Sequence, residues 1–320
     1  MPSALLILAA CLVAFFSTVG AALPYPILPP LFAADAANNL NHFLGLPPKL
    51  LFGVALAINP LGLLIGSTLL GPLSDRYGRR PVLLITAVGA AAGHAITAVS
   101  LLNQSYPLFI VARFATGLME GNGSVARALL ADQLQGALRV RAFSWLNGAL
   151  YMGWLAGPLL AGLTLHWGVT VPFWVAVVAL LVTAAIAWVA VPRQSTGTLT
   201  SSWWQVVQHQ HALKLLKHTE LRTLLVIHLA FTCGVTAFYE YYPLWLVEVS
   251  RFDAQGIAWT TAGLCAVMTL ASIYAGRVVR KNPLQQAAWF AALSAVCIGA
   301  VALGSPTIGL WAIVVFGVPN

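Results

Sequence analysis

About ten apolar stretches, each long enough to cross a membrane, follow one another along the chain and leave few folds open to it. A helix rises about 1.5 Å per residue, so about 20 apolar residues span the hydrocarbon core with every backbone bond internal. Hydrophobic residues make up 60% of the 320 positions and charged residues 8%, whereas soluble domains have about 45–50% and about 25%. The sequence therefore predicts an all-α polytopic membrane protein.

The predicted spans fall into two groups that one long polar interruption separates. They lie near 4–32, 50–73, 81–102, 107–131, 142–166, 169–191, 221–247, 255–276, 284–303 and 305–320. We therefore expect a six-helix bundle at 1–192, a cytoplasmic linker at 193–219 and an incomplete bundle of about four helices at 220–320. Trp203 and Trp204 in the linker would anchor either an interfacial helix or a flexible segment at the membrane surface.

Basic residues are confined almost entirely to alternate loops. Of the 16 Lys and Arg, twelve lie in one set of loops, and only Lys49 and Arg251 lie in the other. The positive-inside rule then places the N-terminus in the cytoplasm. We expect a multi-pass protein of the cell (inner) membrane. The net charge of +8 thus reflects membrane topology, and we expect no nucleic-acid partner.

No motif for catalysis, metal binding or cofactor binding stands out in the sequence. The four cysteines lie in apolar spans without metal-ligand or redox-motif spacing. The sequence contains no phosphate-binding glycine loop of the kind that indicates ATP hydrolysis. We therefore expect no metal, no cofactor and no enzymatic activity.

The loop between the second and third spans carries four charges within six positions. It reads Gly71-Pro-Leu-Ser-Asp75-Arg76-Tyr-Gly78-Arg79-Arg80. Because so dense a cluster cannot lie in hydrocarbon, it is a water-facing turn on the cytoplasmic side. We expect the two glycines to allow close helix packing and a sharp turn, the aspartate to pair, and the arginines to bridge to neighbouring helices.

The fourth span places charges inside the membrane. Arg113, Glu120 and Arg127 are seven residues apart and would share one helix face, while Gly117 and Gly121 would let a neighbouring helix approach closely. Intramembrane charges are costly and need a partner or a water-filled cavity. The stripe is therefore either an ion ladder that fixes packing or a binding and proton-coupling site in which Glu120 titrates.

These patterns resemble those of the major facilitator superfamily. The loop is similar to its G-x-L-x-D-R-x-G-R-R motif, and the fourth span to its helix-4 pattern R-x-x-x-G-x-x-x-G, with an acid, Asp132, at the cytoplasmic edge. The fifth span resembles the antiporter signature of the family through Gly148, Gly153, Gly157, Pro158 and Gly162. The resemblance implies the major facilitator fold of six plus six helices, so a chain with about ten spans is expected to lack the last two.

By this resemblance the chain is a monomeric secondary active transporter that works by alternating access, with small-molecule substrates and protons as partners in the lipid bilayer. The antiporter signature implies proton-coupled export. Uptake by a symporter or facilitator stays open, as does a non-transporting membrane scaffold. In the family, residues matching Asp75, Arg79 and Asp132 form a charge relay, so we predict Arg79 within salt-bridge reach of Asp75 or Asp132 when the cytoplasmic side is closed.

Three further residues are candidates for the coupling or substrate site. Ser17 stands in the first span where many drug–proton antiporters carry an acid, which shifts proton coupling to Glu120 or Glu240. Tyr239 and Glu240 lie among aromatic residues of the seventh span. These residues either line a cavity for an amphipathic or cationic molecule or form an aromatic belt near the headgroups.

Overall fold

The computed structural model describes residues 3–32, 38–193, 219–252, 254–275 and 283–319, and every regular element in these ranges is a helix. In chain order the α-helices are α1 Ser3–Ala22, α2 Pro24–Leu31, α3 Pro48–Tyr77, α4 Arg79–Leu102, α5 Tyr106–Glu120, α6 Gly123–Gln133, α7 Gly136–Thr164, α8 Val171–Ala190, α9 Thr219–Glu248, α10 Ala254–Ala275, α11 Pro283–Ala302 and α12 Pro306–Val315. A single 3-10 turn, Leu165–Trp167, follows α7. The all-α prediction is confirmed.

Seven helical segments in the described ranges are long and apolar enough to cross a membrane. They are formed by α1 with the start of α2, and by α3, α4, α7, α8, α9 and α11. Shorter apolar segments lie in α10 and α12. Each predicted span contains helix, but the fourth, which holds α5 and α6, is not among these segments. The polytopic character of the chain follows from the length of the seven segments.

Two of the predicted spans are interrupted, which the hydropathy pattern did not indicate. The first breaks at Leu23, because Pro24 begins α2 without a backbone N–H to continue the ladder of α1. The fourth breaks between Glu120 and Gly123, where a glycine, an asparagine and a second glycine have low helix propensity. The prediction of one continuous helix across the charged fourth span is therefore wrong.

The chain divides into two compact units, Met1–His209 and Gln210–Asn320. The division falls inside the stretch predicted as a linker. Residues 194–218 of that stretch lie outside the described residues, so neither the interfacial helix nor the flexible segment is tested. Each unit is considered by itself below.

The first unit has two apolar clusters with a polar layer between them. One cluster includes Leu6–Ala14 of α1, Leu70 of α3 and Leu129 of α6. The other begins at Val19 of α1 and includes Ala55 of α3, together with the upper parts of α4 and α5. Along α1, α3, α4 and α5 the positions between the two clusters hold most of the buried polar side chains considered below. These side chains thus lie at mid-depth of the helix bundle, between its two apolar clusters.

Helices α3 and α5 touch through their backbones. A Cβ on Gly62 or Gly66 of α3 would collide with the α5 backbone around Leu118. A Cβ on Gly117 of α5, or on Gly121 directly after it, would collide with the α3 backbone. Two glycines four residues apart on each helix thus face one another, the arrangement that lets membrane helices approach most closely. The predicted close approach at Gly117 and Gly121 is confirmed.

Two of the four glycines of the antiporter signature, all of which lie on α7, pack against α1. A Cβ on Gly153 would meet Thr18 and the Phe15 carbonyl, and one on Gly157 would meet Ala22 and the Val19 carbonyl. The glycines at the two ends of the motif have no described atom within 4 Å of the Cβ position, namely Gly148 and Gly162. The helix continues through Pro158.

The second unit is built on an aromatic cluster of α9, α10 and α12. Phe238 and Phe316 lie with ring centroids 3.9 Å apart. Tyr242 is hydrogen-bonded to Thr261 of α10 at 2.7 Å, and Tyr239 donates to the Met268 sulfur at 3.0 Å. These contacts tie the start of the second unit to its last described helix.

Candidate functional site

A histidine and a glutamate are joined by a buried hydrogen bond in the middle of the first unit. The Nε2 atom of His94 on α4 lies 3.0 Å from Oε1 of Glu120 on α5, and both side chains are completely buried. Water cannot stabilise charge at this position, so the carboxylate depends on the protein groups around it. The arrangement can hold a proton between two atoms that belong to different helices.

Asn59 on α3 completes the bonding of the carboxylate. Its Nδ2 donates to Glu120 Oε2 at 2.9 Å and to the Arg113 carbonyl at 3.3 Å. Each oxygen of Glu120 therefore has a polar partner, one on α3 and one on α4. The short asparagine side chain reaches α5 because the glycines of α3 and α5 bring the two backbones together.

Helix α1 covers the pair with a glycine. A Cβ placed on Gly20 would overlap His94 Nε2 and would stand 2.7 Å from Glu120 Oε1. Gly20 is itself buried, so the α1 backbone forms a wall of the polar site. Ser17, one turn earlier, is also buried, and its hydroxyl has no hydrogen-bond partner among the described residues.

Arg113 is buried on one side of the same site, and its hydrogen bonding is incomplete. Its side chain is 3% exposed, and Nη2 makes a long hydrogen bond of 3.4 Å to the Ala21 carbonyl. Nε and Nη1 have no partner in the part of the chain that the structure describes. Glu120 is close enough to interact with this guanidinium through its charge but is hydrogen-bonded elsewhere.

Arg127 does not take part, which corrects the predicted stripe of charges. It is exposed on α6, where its Nη2 donates to Asn147 at 2.9 Å. The spacing of seven residues would align it with Glu120 only on an unbroken helix, and the chain leaves the helix between Glu120 and Gly123. Glu120 is thus held by His94 and Asn59 rather than between two arginines.

His94 and Asn59 were missed by the motif analysis. Each is a polar side chain inside an otherwise apolar span, and such residues are costly unless they have a partner. That cost is the signal that could have found them. The identity of their common partner depends on which helices pack together, and the sequence does not state this.

The candidates in the second unit are considered within that unit alone. Tyr239 lies in the aromatic cluster and bonds to Met268. Glu240 is part of α9, but its side chain lies outside the described residues, so its predicted role is untested.

A second charged group, here called the Arg79 cluster, joins the ends of α3, α4 and α6. Arg79 pairs with Asp75 at 2.5 Å and with Asp132 at 3.0 Å, and it donates to the Ser74 hydroxyl. Its side chain is 12% exposed, against 46% for Asp75 and 45% for Asp132. Arg79 thus lies within salt-bridge reach of both acids, and the link of this contact to a closed cytoplasmic side stays a prediction.

The glycines and the other arginines of this loop have separate roles. Gly78 has φ +92°, a conformation that only glycine adopts without strain, and it makes the turn between α3 and α4. Gly71 has no described atom within 4 Å of its Cβ position, so the close packing expected there is not observed. Arg80 donates to the Trp188 carbonyl and lies 4.6 Å from that ring centroid, and Arg76 lies over the Tyr77 ring.

A set of long apolar helices around a buried polar core defines a polytopic α-helical membrane protein. The family model described as Major Facilitator Superfamily matches residues 10–319, and the chain belongs to that superfamily. This family match confirms the fold that the loop and fourth-span motifs had predicted.

Individual proteins agree with this assignment. The Tetracycline resistance protein, class B, of Escherichia coli is 31% identical over 176 residues, which are 54% of this chain and 41% of that protein. The chain thus spans about two fifths of the length of this relative. The human organic anion transporter MFSD10 has a similar structure, with a TM-score of 0.70 at 20% identity over 100% of this chain and 85% of that one. The proton:xylose symporter XylE gives 0.70 at 18% identity, over 98% and 78%.

The contact of Gly20 with the buried pair yields a stability prediction. Gly20→Ala should lower the free energy of unfolding by about 1–3 kcal/mol, because the new methyl group overlaps the imidazole and crowds the carboxylate. Gly53→Ala on α3 is the matched control, since no described atom is within 4 Å of its Cβ position. Thermal unfolding of both variants in one detergent checks this. Equal unfolding temperatures of the two variants would show that α1 does not pack closely against His94 and Glu120 at Gly20.

Proposed function

We propose that the chain is a proton-coupled secondary transporter that works by alternating access and exports small organic molecules. One observation carries the proposal, namely the completely buried pair of His94 and Glu120 at mid-depth. A carboxylate in hydrocarbon is costly, and intramembrane acids commonly belong to proton pathways. The relationship to a tetracycline resistance protein and the structural likeness to an organic anion transporter support small organic molecules as the substrate class.

The pair can exist in two states that differ by one proton. In one state a neutral imidazole donates to the ionised carboxylate, and in the other the pair holds an additional proton. In the described structure Asn59 donates to the carboxylate, and the Arg113 guanidinium lies near it. Uptake and release of the proton then need a path to water, and in this conformation both side chains are completely buried with Gly20 packed against them.

Movement of α1 is the step that we infer opens the pair. Helix α1 contacts α7 through Gly153 and Gly157, smooth surfaces along which a neighbouring helix can slide. Displacement of Gly20 from His94 would admit water to one side of the site. Alternating access requires that this displacement accompany the exposure of the substrate site.

The orientation of the chain and the membrane in which it lies are part of the same proposal. The alternation of basic loops supports a cytoplasmic N-terminus, and the bacterial relative supports the inner membrane. We further propose a monomer that has no enzymatic activity and does not bind nucleic acid. A reporter enzyme that is active only outside the cytoplasm, fused ahead of Met1, should be inactive, and an active fusion would refute this orientation.

Glu120→Gln should abolish proton-driven accumulation while substrate exchange continues. The amide matches the carboxyl group in size and can still accept the hydrogen bond of Asn59, but it cannot bind the proton. The measurement is tetracycline uptake into inverted vesicles with an imposed proton gradient, followed by counterflow without a gradient. Accumulation should fall to the level of empty vesicles, and counterflow should persist.

Glu220→Gln is the matched control for this experiment. Glu220 is exposed in the first turn of α9, so the same substitution there should leave uptake unchanged. If Glu120→Gln vesicles still concentrate tetracycline, Glu120 is a structural ion partner and Glu240 becomes the leading coupling acid. Accumulation only with the opposite gradient would indicate uptake by symport, and no movement by the wild type would favour the scaffold.

The Arg79 cluster is proposed to bias a gate on the cytoplasmic side. Because its acids are nearly half exposed, each pair contributes only about 0–1 kcal/mol, which corresponds to at most about a fivefold change in an equilibrium. Asp75→Asn should therefore reduce the initial rate of tetracycline transport severalfold while the amount of protein in the membrane stays normal. Unimpaired transport by this variant would mean that the cluster is not part of the gate.

A further inference from the structure

Arg113 presents unused hydrogen-bond donors at a buried position of the first unit. Its guanidinium carries a delocalised positive charge and five N–H groups in a planar fork. Only the long bond to the Ala21 carbonyl is made by the side chain in the described structure, and the Nε and Nη1 donors are unsatisfied. A buried charged donor without a hydrogen-bond partner is destabilising. An acceptor that bonded to this side chain would therefore remove an unfavourable contribution.

The guanidinium lines a small pocket between α1, α2, α3, α5 and α7. The pocket also includes Asn59, Pro60 and the aromatic side chains of Tyr25 and Trp154. Its volume is about 20 Å³, which is the space of one water molecule or one oxygen-sized group. The site of the acceptor is therefore narrow, and a bulky group cannot enter it whole.

An aromatic pair stands beside this narrow site. Tyr25 and Trp154 meet edge to face with ring centroids 5.8 Å apart, and they are 37% and 45% exposed. Partly exposed rings next to a buried cation offer a surface for a flat apolar body whose charged end reaches inward.

We propose that Arg113 binds the carboxylate of an aromatic organic acid, with the aromatic body of the ligand against Tyr25 and Trp154. The inference rests on the proposed transport function, since it names a substrate class for the same half of the protein. A carboxylate oxygen fits the pocket in size and accepts from the planar fork of the arginine. Glu120 leaves the fork available because its own oxygens bond to His94 and Asn59.

The probe pair is 2-naphthoate and 2-naphthamide, which share the ring system and differ in charge. Equilibrium binding to the purified protein in lipid nanodiscs is measured by calorimetry without any gradient. The wild type should bind naphthoate at least about tenfold more tightly than naphthamide, the factor expected when a buried charge-assisted bond replaces a neutral one. Trp154→Ala should weaken both ligands by a similar factor, because both lose the same aromatic contact.

Arg113→Gln should remove the preference for naphthoate, whereas Arg127→Gln should retain it. The second variant is the matched control, because it removes the same charge from an exposed arginine whose partner is Asn147. If Arg113→Gln does not fold, Arg113→Lys replaces it and should bind naphthoate severalfold more weakly than the wild type, since the lysine lacks the fork.

Four results would overturn the assignment. Equal binding of the two probes to the wild type would mean that the carboxylate is not recognised, and no binding of either would mean that the pocket holds water only. A preference that survives in Arg113→Gln would exclude the guanidinium fork as the group that binds the carboxylate. Naphthoate binding by Arg113→Lys at wild-type strength would exclude it as well. Because no gradient is applied, these results are independent of whether Glu120→Gln abolishes accumulation, so either proposal can fail alone.

Discussion

The direct contact between the backbones of α3 and α5 determines the geometry of the polar core. Packed helices ordinarily lie about 8–10 Å apart with side chains between them. Here Gly62 and Gly66 face Gly117 and Gly121 with no side chain between the backbones. Asn59, one turn before Gly62, can therefore span the gap and bond to Glu120. A larger residue at any of the four glycines would move the amide away from the carboxylate.

The two charged residues of this core differ in how completely they are bonded. Both oxygens of Glu120 have partners, on α3 and on α4, which offsets much of the cost of burying a carboxylate. Arg113 retains unsatisfied donors at 3% exposure. The first unit thus contains a stabilised acid beside an arginine that the fold alone does not satisfy, and such strain is typical of positions retained for binding.

The parts of the structure that the sequence predicts are those fixed by local spacing. Hydropathy indicates the helices, because crossing a bilayer demands a definite length of apolar chain. The contact of Arg79 with Asp75 and Asp132 was expected from the resemblance of the loop to a family motif. The pair of His94 and Glu120 depends on the packing of α4 against α5, which no local pattern specifies. The alignment of Arg127 with Glu120 fails because it assumed a continuous helix across low-propensity residues.

The two ionic groups of the first unit differ in how far dissolved salt can reach them. Asp75 and Asp132 are 46% and 45% exposed, whereas His94 and Glu120 are not exposed at all. At physiological ionic strength charges in water are screened over about 8 Å, and charges buried in protein much less. A rise in electrolyte concentration therefore weakens the Arg79 cluster and leaves the buried pair intact. The water-facing end and the interior of one small helix bundle respond to different properties of the surrounding solution.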